Sequence, residues 1–214
     1  MATTCLDLLR GDGAGDPAVR TSLLRAAART AGPDQAPEVA SLAGDVPDLR
    51  WRLLTRAAAV GASDDEGVAE AERAIAALLA DDPDPDAVWR ATAVRAARPT
   101  AEAKAEAWAA LAERREVPQP ALPAVAQAFW TPGQDELVRD YPQRYLDLLP
   151  EWGSLGMLQS MVLALGLFPR VGVGADFPDR ASTAAVGAGV SPIVSTAVRG
   201  EADRLQRMLR ARDL

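Results

Sequence analysis

A chain of 214 residues, 49% of them apolar, can bury a sizeable core, as one elongated domain or two small ones. Its formal net charge of −7 and the lack of any stretch dense in basic residues exclude a surface that tracks a phosphate backbone, so nucleic acid is not expected as a partner. It contains no histidine, which removes His-Glu-x-x-His zinc sites, Ser-His-Asp triads and Cys-His pairs. Carboxylates, tyrosines, arginines, the sole lysine Lys104 and the sole cysteine Cys5 are the reactive groups that remain.

The opening stretch MATTCLDLLRGDGAGD has neither the basic flank nor the apolar centre of a signal peptide, and Cys5 has no second cysteine to pair with, so a cytoplasmic location is expected. RGD at 10–12 is read as a turn tripeptide. Helices are then expected in chain order from apolar periodicity and end signals. DPAVRTSLLRAAARTAG opens on Asp16 with Pro17 in the first helical position and closes on Gly32. PDLRWRLLTRAAAVG repeats the device with Pro47 and Gly61. SDDEGVAEAERAIAALLADD starts at Ser63 and places Val68, Ala71, Ile75, Leu78 and Leu79 on one face. DAVWRATAVRAARP follows, then TAEAKAEAWAALAERRE capped by Thr100, ALPAVAQAFW, QDELVRDYPQRYLDLL as one helix, LGMLQSMVLALGL as a buried core helix, and VSTAVRGEADRLQRMLRARD. No apolar run is long enough to span a bilayer, and no membrane partner is expected. Alanine dominates the apolar set, valine and isoleucine are sparse, and period-two alternation is absent, so the fold class is all-α.

Two segments read as copies of one unit. DLRWRLLTRAAAVGASD superposes on DAVWRATAVRAARPTAE at an offset of 38 residues, aligning Asp48 with Asp86, Trp51 with Trp89 and Arg52 with Arg90. A period near forty with two helices per unit is the pattern of a HEAT-like or armadillo-like stack of antiparallel helix pairs, an α-α superhelix. The expected organisation is a single helical-repeat domain over 1–214, with 1–46 as a candidate N-terminal cap. Within it, DDPDPD at 81–86 offers four aspartates, a candidate site for Mg²⁺ or Ca²⁺, or a proline-broken turn in which Asp86 caps the next helix. The aligned Asp48 favours the turn, and no metal or cofactor is expected.

The large side chains Trp51, Trp89, Trp108, Trp130 and Trp152 are expected chiefly to fill gaps between closely packed alanine-rich helices. One group combines aromatic surface with hydrogen-bonding groups at helical spacing: Phe129, Trp130, Gln134, Tyr141, Arg144 and Tyr145 are the candidate ligand-binding residues. No catalytic residue is assigned. Glycines in VGVGAD and VGAGVSP lack the setting of a phosphate loop and read as connectors, and Arg204, Arg207, Arg210 and Arg212 as a solvated basic helix end.

Beyond these patterns, PDLRWRLLTRAAAVGASDD, ALLADDPDPDAVWRATAVRAARPTAEAKAEAW, WTPGQDELVRDYPQRYLDLLPEW, LFPR and RGEADRLQRMLRARD resemble, in order, segments of the C-terminal helical domain of bacterial aminopeptidase N, a zinc-dependent family. The resemblance implies a helical bowl that covers a catalytic domain and holds the distal part of a peptide. It does not imply peptidase activity, because the family's His-Glu-x-x-His site and Gly-x-Met-Glu-Asn loop belong to an upstream domain and are absent here. REVPQPALPA at 115–124 and a shortened APEVASLAGDV at 36–46 depart from the family pattern, and a chain opening on Met1 is expected to be a free-standing relative. The function expected is a non-catalytic helical-repeat module binding a peptide, a partner protein or a small molecule. The alternative is a repurposed bacterial enzyme of specialised metabolism, an isomerase or cyclase using carboxylate and tyrosine acid-base groups.

Overall fold

The computed structural model describes residues 1–11, 15–32, 34–187 and 189–212, with the side chain of Arg212 left aside. The described residues are helical with no strand: α1 (Ala2–Arg10), α2 (Pro17–Thr30), α3 (Ala36–Ala43), α4 (Pro47–Val60), α5 (Asp65–Asp81), α6 (Ala87–Ala97), α7 (Ala101–Trp108) running into a π-helical turn (Ala109–Glu113), α8 (Leu122–Phe129), α9 (Asp135–Val138), α10 (Tyr141–Gly153), α11 (Met157–Gly166), α12 (Phe177–Ala185) and α13 (Pro192–Arg212). The chain divides into two compact units, Met1–Ala103 and Lys104–Leu214. The division falls inside α7, and residues 1–46 share a core with α4.

In the first unit that core is built from small side chains. Cys5, Leu6 and Leu9 of α1 meet Leu24, Ala27 and Ala28 of α2, with Val39 and Ala43 of α3 and Leu49 of α4 closing the cluster. Alanine at the contact lets helix backbones approach closely, so few large residues are needed. Asp16 starts α2 by accepting from the N–H of Ala18 at 2.7 Å, with Pro17 pre-set for the first turn. Thr100 accepts from the N–H of Ala103 in the same way at the start of α7. A second cluster joins Trp51 and Ala58 of α4 to Ile75 of α5 and to Ala87, Ala91 and Val94 of α6.

Several expected details are corrected. The cap of α5 is Asp64, which accepts from the N–H of Gly67 at 2.9 Å, and not Ser63. Asp86 stands at the N-terminal boundary of α6 but makes no cap hydrogen bond, and Asp48 lies inside the first turn of α4, where its carboxylate takes Arg25 and Arg52. QDELVRDYPQRYLDLL is not one helix: α9 ends at Val138 and α10 begins at Tyr141, with Pro142 in its first turn, where the missing proline N–H costs nothing. LGMLQSMVLALGL is not a buried helix. Met157 and Leu158 are exposed, and α11 buries Ser160, Leu163 and Ala164 on one face only. Asp12 of the RGD tripeptide lies outside the described residues.

The aspartates of DDPDPD are spoken for by the protein. Asp82 Oδ2 accepts from Trp51 Nε1 at 2.8 Å and from Arg90 Nη1 at 2.7 Å, while its Oδ1 accepts from the N–H of Asp84 at 3.1 Å. Asp84 takes the other arm of Arg90 at 2.5 Å, and Asp81 pairs with Arg50. The Trp51 hydrogen bond, with those of the Asp84 N–H and Arg90, holds the Asp82 carboxyl below the usual carboxylate range against the opposing effect of burial. The loop therefore works as a clamp that ties the C-terminal end of α5 to α4 and α6. The 38-residue offset does not carry the same side-chain role at both places: Trp51 is buried on Asp82, whereas Trp89 is partly exposed.

In the second unit α12 and α13 pack together, α10 lies against α11 and α12, and α11 contacts α8 and α13. Gly153 ends α10 against the backbone of Gly189 and Val190, so close that a Cβ there would overlap the Gly189 carbonyl oxygen. Gly153→Ala is expected to destabilise the chain by about 1–3 kcal/mol through this forced overlap, read as a lower urea midpoint. Asp82→Ala is expected to lower the midpoint while Asp86→Ala leaves it unchanged; equal effects of the two would contradict the clamp.

Candidate functional site

The second unit gathers four aromatic residues, Trp108, Phe129, Trp130 and Tyr141, around the C-terminal end of α8. Phe129 is its last residue; its ring lies 4.7 Å from Trp130 and 5.0 Å from Tyr141, each edge-on, and 5.6 Å from Trp108. Trp108 in turn lies 5.2 Å from Tyr141. Such tilted and edge-on arrangements suit the ring quadrupoles and leave little room for a ligand among the rings.

Lys104 sits in this stack with no accessible surface. Its ammonium donates to the carbonyl of Phe129 at 2.9 Å and lies 5.5 Å from the Phe129 ring centroid. A cation at the carbonyl end of a helix is favourably placed. Burial nevertheless pulls the Lys104 pKa down from 10.5 to about 7. Sequence reasoning set Lys104 aside as one of several reactive groups, because nothing in AEAKAEAW distinguishes a buried lysine from a solvated one.

Of the six candidate ligand-binding residues, Phe129, Trp130 and Tyr141 come together in this stack, with Gln134 buried in the turn that follows α8. Arg144 lies outside it, exposed, with its guanidinium 4.7 Å from the Tyr141 ring centroid. Tyr145 belongs to a different cluster, edge-on to Trp152 at 5.6 Å and to Phe168 at 5.8 Å, and donates its hydroxyl to the Ala164 carbonyl at 2.7 Å. Burial pushes both phenols above their ordinary pKa, Tyr145 further than Tyr141.

Open surface begins on the far side of Trp130. A groove of about 990 Å³ has Leu122 and Ala126 of α8 with Trp130, which follows it, along one wall and Met161, Val162 and Leu165 of α11 along the other. The walls converge at Gly166, where a Cβ would overlap the Leu122 side chain. Gln119, Gln127, Asp135 and Arg170 add polar groups, and Met208 of α13 completes the lining. Asp135 accepts from the N–H of Gly172 at 3.2 Å, and Arg170 donates to Glu201 at 2.8 Å while Arg204 pairs with the same carboxylate. The groove thus combines apolar side chains with amide groups. Of its residues sequence reasoning named only Trp130, because the others are spread over three helices far apart in the chain.

Zinc has no ligand set here: the sequence has no histidine, and the described residues contain no group of three or more Cys, Asp and Glu placed to hold a metal ion.

Two outcomes follow from this geometry. The unfolded chain binds more protons at Lys104 between about pH 7 and pH 10.5, so its contribution is full above 10.5 and is lost as pH falls toward 7. Measured by urea unfolding, the stability of the native chain relative to Lys104→Met is expected to rise across that window by an amount on the order of a few kcal/mol; a difference independent of pH would contradict the buried ammonium. Trp130→Ala is expected to cost about 3–5 kcal/mol and Arg144→Ala about 0.5–1 kcal/mol, the first being core and the second a surface cation-π contact.

Residues 4–170 match the ERAP1-like C-terminal domain. Aminopeptidase N of Streptomyces lividans is 34% identical over 166 residues, a stretch that covers 77% of this chain and 18% of that relative. The chain therefore spans about a fifth of the length of the curated relative it matches. No helix among the described residues is long and apolar enough to cross a membrane. With the all-helical architecture and a match over most of its length, the chain belongs to the ERAP1-like C-terminal domain family.

Proposed function

We propose that this chain is a non-catalytic helical-repeat binding module, and that its ligand is a peptide whose apolar side chains enter the groove between α8 and α11. The observation that carries this reading is the groove itself: apolar along its length, walled by Trp130, and edged by the Gln119 and Gln127 amides, which suit main-chain hydrogen bonds. Two methionines, Met161 and Met208, favour tolerance of different side chains over strict selection. The expected cytoplasmic location is supported by the lone, buried Cys5. The relative's name, aminopeptidase N, is not carried over as an activity, since a chain without histidine holds no imidazole to bind zinc.

The test uses a pool of peptides acetylated at one end and amidated at the other, captured on the native chain and on Val162→Trp, which fills the groove. Retention of apolar members by the native chain alone, with affinity reduced at least about tenfold in the variant and with unchanged circular dichroism, is the expected outcome. Equal retention by both proteins overturns the groove reading. Release of an isomerised or cyclised product by a purified sample would favour the acid-base enzyme instead.

A further inference from the structure

One helix pair of the first unit, α2 with α4, carries a local charge opposite to that of the whole chain. Helix α2 holds Arg20, Arg25 and Arg29 with no acid, and α4 holds Arg50, Arg52 and Arg56 with Asp48 alone. Arg50 is taken by Asp81. The two helices pack against each other, and their arginines meet across the seam: Arg25 Nε donates to Asp48 Oδ2 at 3.2 Å and Arg52 Nε donates to the same oxygen at 3.0 Å. One turn further on, Arg56 Nε donates to the carbonyl of Ala31 at 3.0 Å, where α2 ends, and Arg29 stands exposed two residues before it. Two guanidinium groups thus share the one carboxylate of these helices, while Arg56 and Arg29 have no carboxylate among the described residues, in a protein of net charge −7.

The way these arginines are held matters more than their number. Arg25, Arg52 and Arg56 each spend only Nε on the protein, and among the described residues their terminal nitrogens have no partner. Arg29 has none at all. A guanidinium fixed through Nε keeps its two Nη groups as a planar fork for a carboxylate approaching end-on. Successive arginines on one helix face, at four-residue spacing, stand about 6 Å apart, close to the separation of alternate side chains on an extended strand. The Asp48 carboxyl is already held below the usual range, burial being outweighed by Arg52 and then Arg25, so it stays charged and still leaves the seam in positive excess.

We propose that the α2–α4 seam is a docking surface for an acidic polypeptide segment, with alternate Asp or Glu side chains seated on the free forks of Arg25, Arg52 and Arg56 and on Arg29. The surface lies in the first unit and is independent of the groove in the second.

The experiment measures binding of Ac-Gly-Glu-Ala-Glu-Ala-Glu-Gly-NH2, its glutamine counterpart and an oligouridylate of equal charge by fluorescence anisotropy. The glutamate peptide is expected to bind at least about tenfold more tightly than the glutamine peptide, with affinity falling as salt is raised. Replacing Arg25, Arg52 and Arg56 together by lysine preserves charge but removes the forks, and is expected to weaken binding at least about fivefold. Arg29→Gln touches no protein contact and is expected to weaken it severalfold without altering the unfolding midpoint, while Val162→Trp leaves it unchanged. Equal binding of the two peptides, or full affinity in both the lysine variant and Arg29→Gln, overturns the proposal. Oligouridylate binding as tight as the acidic peptide's overturns it in favour of unselective attraction to polyanions.

Discussion

The buried ammonium of Lys104 on the last carbonyl of α8 is the constraint around which the second unit is organised. A charge without accessible surface is costly, and part of that cost is offset because a helix terminus presents carbonyl oxygen to it and the ring of Phe129 lies 5.5 Å from it. Phe129 points into the stack, Trp130 is carried to its outer side, and the groove wall is the outer side of a polar contact hidden within.

The first unit solves the opposite problem. With alanine at its contacts it has little side-chain volume to set helix spacing, and polar side chains do that work. Asp82 receives an indole N–H, a guanidinium and a backbone N–H at one point, and Glu72 of α5 holds Arg95 of α6 and Arg98 just beyond it at another. Charged groups that a composition count assigns to the solvent are here the fasteners of an alanine core, and a half-buried ion pair with fixed geometry can fill that role where an isolated exposed pair would not.

What could be read in advance divides along the same physical line. Helix positions were legible wherever the signal is local: Asp16 with Pro17, Pro47 with Gly61 and Thr100 each act through neighbours in sequence. Helices α1, α3 and α12 escaped because each is too short, at eight or nine residues, to show an apolar period, although Pro37 and Pro178 stand in the first turns of α3 and α12, and the break between α9 and α10 escaped because an apolar period ran through Pro142. The burial of Trp108, Trp130 and Trp152 followed from their size, whereas the groove beside Trp130 depends on α8, α11 and α13 meeting, which no local pattern encodes. The family match stops at residue 170, so Met208, which completes the groove, comes from beyond it.

Because the sole lysine is enclosed, the folded protein has no side-chain amine at its surface. Acylating agents, enzymatic acetylation and ubiquitin conjugation at lysine all require that amine to emerge, and it emerges only when the aromatic stack opens. The one lysine is therefore silent in the native state, and its labelling, read at that residue apart from the exposed amine of Met1, would time the opening of the second unit.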